Sequence, residues 1–421
     1  MADILIIRPV SCGNNASEIE ELINRTGLKG LSLERIKDLV NDLWVRIRKG
    51  IPLCDLHAPL EMEGLEASAR HILIDVARTR KRSREKFENG ASLFFTSEGL
   101  RWATPGSAAD HCSKRLAREM VMDISCGQGG QILSLSRNCK EVIGIDIDPL
   151  NCLLGILNCS ATGVENVCMV HGNCMHPESV EMAKPGCAVF SDPARPPTST
   201  ERTLDEIVPD PRMLMEVYGE ITGGMCFEVP PYISLEQVDF PCEAEYVSLE
   251  GRLNRLNLYT GDLIRDERSS VVLPDGERIG GVPGPYRKMK ETEIRTGDLI
   301  YEVDPSVVKA GLQNELGEVI GIPVFFLEMD ERRTMMTAGE KITSPFLKSG
   351  YRVLATGVQE EDILPALRKV GAGRVTLRYE IDPIEYWNTR NSIQSELDGK
   401  RKVHLFKGRV FLVLEKLHEV T

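Results

Sequence analysis

The sequence has no CxxC pair, no Cys/His cluster at metal-ligand spacing, no apolar run of membrane-spanning length and no excess of positive charge. Each absence excludes something. Twelve cysteines without paired spacing read as reduced, buried thiols of a cytoplasmic protein, not as a disulfide framework or a metal site. The start, "MADILIIRPVSCGN", has no basic residues ahead of its short apolar stretch, so neither a signal peptide nor a membrane partner is expected. A formal net charge of −12 argues against a chain built only to coat nucleic acid. The charge is uneven, however. Residues 341–421 carry fourteen Lys/Arg against ten Asp/Glu, a net +4, which leaves −16 on the remainder. That end is either a solvated charged surface or open to an RNA contact.

What is present reads as a soluble multidomain chain, with 42% apolar and 27% charged residues over 421 positions. Residues 16–49 and the stretch "LEASARHILIDVARTRKRSREKF" have apolar positions at helical spacing, which predicts a helical domain at the start. The basic run "RTRKRSREKF" is either a solvated helix face or a phosphate contact. From Val121 the pattern alternates. "VMDIS", "EVIGIDI", "NVCMVHG", "CAVFSD" and "GMCFEV" read as buried strands, with helices between them. This predicts an α/β fold, a parallel sheet with helices on both faces. "EAEYVSLEGRLNRLNLYTG" reads as an edge hairpin, and "PDGERIGGVPGPYRKMKETE" as a boundary or mobile loop. "DLIYEV" and the last eighty residues read as strands and helices of a small α+β unit.

The chemistry concentrates in "VMDISCGQGGQ", residues 121–131, where three glycines follow a strand-like run. A dinucleotide fingerprint would need a third glycine at Ile132, and a phosphate loop would need Gly-Lys-Ser/Thr. Neither is met. "DISCGQGG" is instead similar to the D-x-x-x-G-x-G first motif of class I S-adenosylmethionine methyltransferases. There Gly127 and Gly129 would admit the cofactor's methionine portion close to the backbone. Asp123, at a strand end, would hold its cationic amino group. Asp146 ends the second strand and would accept the ribose hydroxyls. Asn173 stands where these enzymes often carry an acid facing adenine, and it can both donate and accept. Ser125 and Ile147 complete the expected cofactor contacts in this region.

The fourth strand ends "VFSDPARPP", which resembles the D-P-P-R and N-P-P-Y signatures beside the transferred methyl group. Prolines stiffen such a loop. Asp192 and Arg195 are then the candidate catalytic residues, with Pro193 and Arg195 as acceptor contacts. Arg195 could instead hold an RNA phosphate or position a base. Cys226 lies inside "GMCFEV", not after it, and reads as a buried thiol, not a covalent nucleophile.

Together with "RSREKFENGASLFFTSEGLRWATPGSAADH" and "YEVDPSVVKAGL", these residues resemble the class I methyltransferase family with a C-terminal THUMP-like domain, found in bacteria and archaea. The likeness runs over roughly residues 75–421. It implies a helical N-terminal domain over 1–98, a Rossmann-like methyltransferase domain over 99–265, a ferredoxin-like domain over 266–338 and a THUMP-like domain over 339–421. It also places Thr104 near the cofactor pocket. The sequence departs from the family's D-P-A-R-R at Pro196, and has Glu228 where a Lys is common. The expected cofactor is S-adenosylmethionine, the expected acceptor RNA, and no metal is expected. A small-molecule or protein methyltransferase, and an RNA-binding protein with a vestigial cofactor site, are the alternatives.

Overall fold

The computed structural model describes residues 4–8, 15–193, 203–330 and 333–417. The chain forms two compact units, Met1–Cys242 with Leu256–Ile264, and Glu243–Arg255 with Arg265–Thr421.

The first unit is built on strands β1 (Leu5–Ile7), β2 (Met120–Asp123), β3 (Glu141–Asp146), β4 (Val167–His171), β5 (Ala188–Ser191) and β6 (Gly224–Val229), in the order β1-β4-β3-β2-β5-β6. β2 to β6 run parallel; β1 lies antiparallel on β4, with Leu5 opposite His171. After β7 (Glu243–Leu249), a strand of the second unit, comes β8 (Arg252–Tyr259), whose Leu256–Tyr259 part runs antiparallel to β6 with Cys226 opposite Tyr259. The chain leaves β2 toward β3 and β4, then returns to the other side for β5 and β6. That reversal opens a crevice at the carboxyl ends of β2 and β5. The strands read as continuous apolar runs because both faces are buried; every residue of β2 and β6 is.

The helices obey local signals. Asp148 caps helix Pro149–Thr162 by accepting from the Leu150 N–H, with Pro149 in its first turn. Ser32 caps Leu33–Arg48 in the same way through the Arg35 N–H. The N-terminal helices share one core with the sheet: Leu22, Ile36, Leu39 and Leu73 pack in the same cluster as Val121, Ile132, Leu153 and Phe190. The basic run is only partly consumed internally, since Lys81, Arg82 and Arg84 are exposed. Arg80 is buried, stacks 4.6 Å from the Phe94 ring centroid and donates to Asn41 Oδ1 at 2.8 Å. Burial pushes its guanidinium down to about 10.

In the second unit β7 pairs parallel with β9 (Arg268–Leu273), and β9 pairs antiparallel with β10 (Glu277–Gly281). A seven-stranded sheet follows: β11 (Leu299–Val303), β12 (Val324–Asp330), β13 (Arg333–Ala338), β14 (Leu347–Val358), β15 (Ala372–Arg378), β16 (Arg401–Lys407) and β17 (Phe411–Lys416). Its order is β12-β13-β11-β14-β17-β16-β15, antiparallel except for β15 with β16. Helices Ile363–Lys369 and Pro383–Ser395 lie in the second unit, and Val375, Leu377, Val403, Leu405 and Val413 share a core with residues of both.

Three expectations change. The chain's start is not wholly helical, because β1 adds a strand to the sheet. A quarter of the polar stretch expected as a loop is β10, an edge strand held by pairing with β9, by buried Ile279 and by Arg278 ion-paired to Glu243 and Asp266. The helix expected over "PSVVKAGLQNELGEVIG" is two, Pro305–Ala310 and Gln313–Ile320, broken at Gly311.

Candidate active site

The residues singled out from the sequence collect at the carboxyl ends of the parallel strands. Asp123 is the last residue of β2 and Asp146 the last of β3; Asn173 follows β4 and Asp192 follows β5. Only the segment containing Arg195 lies outside the described residues.

Asp123 is 1% exposed. Its Oδ1 accepts from the Ser125 N–H at 3.2 Å, while Oδ2 is buried with no hydrogen-bond partner among the described residues. Burial pushes its carboxyl up to about 8; the Ser125 N–H opposes this, and the charges of Asp146 and Glu228 add to it. A buried, half-satisfied carboxylate is costly unless a donor completes it. A primary ammonium group supplies that donor and the opposite charge.

The glycine loop opens beside it. Gly127 has φ +52° and Gly129 φ +84°, in the left-handed region that favours glycine. A Cβ on Gly127 would meet nothing within 4 Å, whereas one on Gly129 would lie 3.3 Å from Gly155 Cα in the next helix. So Gly127 faces open space and Gly129 is where the loop packs down. Helix Gly130–Asn138 starts there, without a side-chain cap on its first turn.

Asp146 holds this loop as well as facing the crevice. Its Oδ2 accepts from the Gly127 N–H at 2.9 Å, and its Oδ1 from the Asp148 N–H at 2.9 Å and Asn151 Nδ2 at 3.2 Å. Burial raises its carboxyl, against the pull of these N–H donors. Each carboxylate oxygen has two lone pairs, so capacity remains for ligand hydroxyls. Ile147, next in the chain, is 70% exposed, an apolar surface of the kind a flat base can lie on. Asn173 is exposed, and its Oδ1 accepts from the Met175 N–H at 2.9 Å, so its carbonyl is engaged in a local turn.

Two ties fix the rest. Ser125 Oγ accepts from the Asp192 N–H at 2.7 Å, which joins the glycine loop to the "DPAR" segment. Asp192 is half-buried and Pro193 buried. Thr104 is buried in the loop after helix Ser97–Trp102. Lys86 Nζ donates to the carbonyls of Leu100, Arg101 and Ala103 at 2.8, 3.1 and 2.6 Å and so clamps that loop. The loop reaches the glycine helix: a Cβ on Gly130 would sit 3.5 Å from Ala103 Cβ.

Sequence reasoning missed the polar chain that supports the loop. Gln128 accepts from the Thr96 N–H at 2.9 Å and donates to Asn151 Oδ1 at 3.1 Å; Asn151 in turn reaches Asp146. Asn158 donates to the Gln128 carbonyl at 2.8 Å and bonds both backbone groups of Phe94. The signal was two asparagines and a glutamine in otherwise apolar helical or glycine-rich surroundings. Cys226 is wholly buried in β6, its sulfur 3.9 Å from that of Cys112. Among the described residues no group of three or more His, Cys, Asp or Glu could hold a metal ion, and no helix is long and apolar enough to cross a membrane.

Comparison with known proteins places this geometry. Residues 118–204 match the family model described as RNA cap guanine-N2 methyltransferase. Two curated relatives, from two strains of Mycobacterium tuberculosis, are described as uncharacterised S-adenosylmethionine-dependent methyltransferases; each is 27% identical over 234 residues. The match covers 54% of this chain and 62% of theirs. A crystal structure of a candidate methyltransferase from Porphyromonas gingivalis W83 superposes with a TM-score of 0.61 at 15% identity, over 83% of this chain and 91% of that one. The fold is therefore the Rossmann-like α/β methyltransferase fold, with mixed sheets.

Proposed function

We propose that the protein is an S-adenosylmethionine-dependent methyltransferase acting on RNA, tRNA or rRNA, in the cytoplasm. The observation that carries the cofactor reading is Asp123. Its buried carboxylate has an open oxygen, beside a glycine loop that faces empty space and is held by a second carboxylate. That set fits one cationic amino group and one pair of hydroxyls. The matched family model and the +4 charge of residues 341–421 support an RNA acceptor. In this reading residues 1–98 form the helical N-terminal domain and 99–265 the methyltransferase domain. Residues 266–338 and 339–421 are the ferredoxin-like and THUMP-like parts, which share the seven-stranded sheet.

The bound cofactor supplies an electrophilic methyl group on its sulfonium. Asp123 holds the amino end, Ser125, Gly127 and Gly129 shape the floor, and Asp146 holds the ribose. Ile147 and Asn173 flank the base, and Thr104 lines the cover. Methyl transfer is an in-line displacement, so alignment of the acceptor supplies much of the rate. The Ser125 tie to the Asp192 N–H fixes the acceptor loop relative to the cofactor floor. Asp192 then accepts a hydrogen bond from the acceptor's amino group, and Pro193 and Arg195 contact the incoming RNA.

Calorimetry tests this. The protein should bind S-adenosylmethionine and its demethylated product, and NAD much more weakly. Asp146→Ala should cost about 1–3 kcal/mol of that affinity, because its hydrogen bonds are charge-assisted. Asp192→Ala should lower the single-turnover rate with cofactor affinity nearly intact. No binding by the unmutated protein ends the cofactor reading; an unchanged single-turnover rate ends the role of Asp192.

A further inference from the structure

The seven-stranded sheet has two unlike faces. Val375, Leu377, Val403, Leu405 and Val413 pack on one side with residues of helices Ile363–Lys369 and Pro383–Ser395. On the other side, strand register sets a different group in rows. Arg374 lies beside Lys402, Thr376 beside His404 and Arg378 beside Phe406. His404 is opposite Leu414, and Tyr351 is opposite Lys416. Directly paired residues share a face. The same register brings Lys402 across from Lys416. Part of this face is apolar and buried, with Tyr351, Val353, Phe406, Leu412 and Leu414 in one core. One row across it is cationic: Arg374, Lys402 and Lys416 are exposed, while half-buried Arg378 lies two rows along the same edge strand, beside Phe406.

None of these four cations makes an ion pair among the described residues, although the surface elsewhere is rich in them. The acid next to Lys416, Glu415, points to the opposite face, where it meets Arg401 at 3.3 Å. His404 reports the surplus. It is 5% exposed and held down to about 4 by burial and then by the charges of Arg378, Lys402 and Lys416. Like charges side by side on a sheet destabilise it. Adjacent strands are about 4.8 Å apart, so the row from β15 through β16 to β17 spans on the order of 10 Å. A single small anion neutralises one such cation; a chain of phosphates can run along the row.

We propose that this face, carrying Arg374, Arg378, Lys402 and Lys416, is a docking surface for the phosphate backbone of RNA. The choice of RNA over an acidic protein rests on the function proposed above; the surface itself rests on register and charge. It serves to hold the acceptor and touches no reacting atom.

The test uses the full chain and a fluorescent 20-nucleotide mixed-sequence single-stranded RNA, followed by anisotropy from 50 to 200 mM KCl. Arg374→Ala/Lys402→Ala/Lys416→Ala should weaken binding at least tenfold at 50 mM. It should also flatten the salt slope by about 2, at roughly 0.7 per lost phosphate contact. Lys402→Glu alone, a surface change, should weaken binding at least tenfold. Arg374→Lys should retain it. Calorimetry with the demethylated cofactor on the same variants should be unchanged, so loss of RNA binding and failure of the methyltransferase reading are separately visible. RNA affinity and salt slope equal to those of the unmutated protein would overturn the proposal. So would no RNA binding by the unmutated protein, or displacement of the RNA by poly-L-glutamate as effectively as by unlabelled RNA.

Discussion

At the scale of single residues, the site is governed by one buried carboxyl. Asp123 holds its proton up to about pH 8, far above the ordinary 3.8. Between those values the folded protein binds a proton there and the unfolded chain does not. Stability contributed by this group is therefore full below about pH 4 and is lost as pH rises toward 8. Asp123→Asn should gain stability over the unmutated protein between pH 5 and 8, read as a rising difference in melting temperature. Ligand binding has the opposite sense, because pairing with an amino cation needs the ionised form. Affinity for the demethylated cofactor should rise from pH 6 to 8, with proton release seen as a buffer-dependent calorimetric heat. A flat profile, unchanged by Asp123→Asn, would remove Asp123 from the amino-group contact.

At the scale of elements, the glycine loop is held from both sides. Gly129 sits at φ +84° with Gly155 Cα 3.3 Å from where its Cβ would be. Gly129→Ala should cost roughly 1–2 kcal/mol for the left-handed backbone alone, more where the helices must part. Asn158 is the counterpart on the helix side. Asn158→Ala strands the Phe94 N–H and the carbonyls of Phe94 and Gln128 in a buried place. Its cost should be about 1–3 kcal/mol, seen in thermal melts. Cofactor affinity should fall with it, although Asn158 reaches no ligand. Melting unchanged by Asn158→Ala would show that these three bonds are replaceable.

At the scale of the whole molecule, the seven-stranded sheet crosses position 338/339. β14 pairs on one side with β11 and on the other with β17. A fragment of residues 341–421 therefore exposes an unpaired strand edge, together with core residues such as Tyr351 and Val353. It should aggregate when expressed alone, as measured by gel filtration. A monodisperse, folded fragment would show that the β11–β14 pairing is dispensable. The cationic face needs this whole sheet, so it is probed by substitution in the intact chain.

The sequence by itself determined what depends on neighbours in the chain. Apolar runs of three or four residues set β2 to β6, because a strand covered on both faces is largely apolar. Close-set glycines after Asp123, and Asp146 at the next strand end, marked the crevice at the strand ends. Those signals are local: backbone freedom, strand period and helix caps. Tertiary structure decided what depends on residues far apart. Leu5–Ile7 became a strand only because β4 had a free edge. Glu277–Gly281, polar enough to read as a loop, is held by backbone pairing with β9, one buried isoleucine and the ion pairs of Arg278 with Glu243 and Asp266. Gln128, Asn151 and Asn158 gained their roles from partners up to 64 positions away. Arg374, Lys402 and Lys416 were a net charge in the sequence. They became a row because the register of β15, β16 and β17 sets them on one face, and register is fixed by which side of each strand is buried.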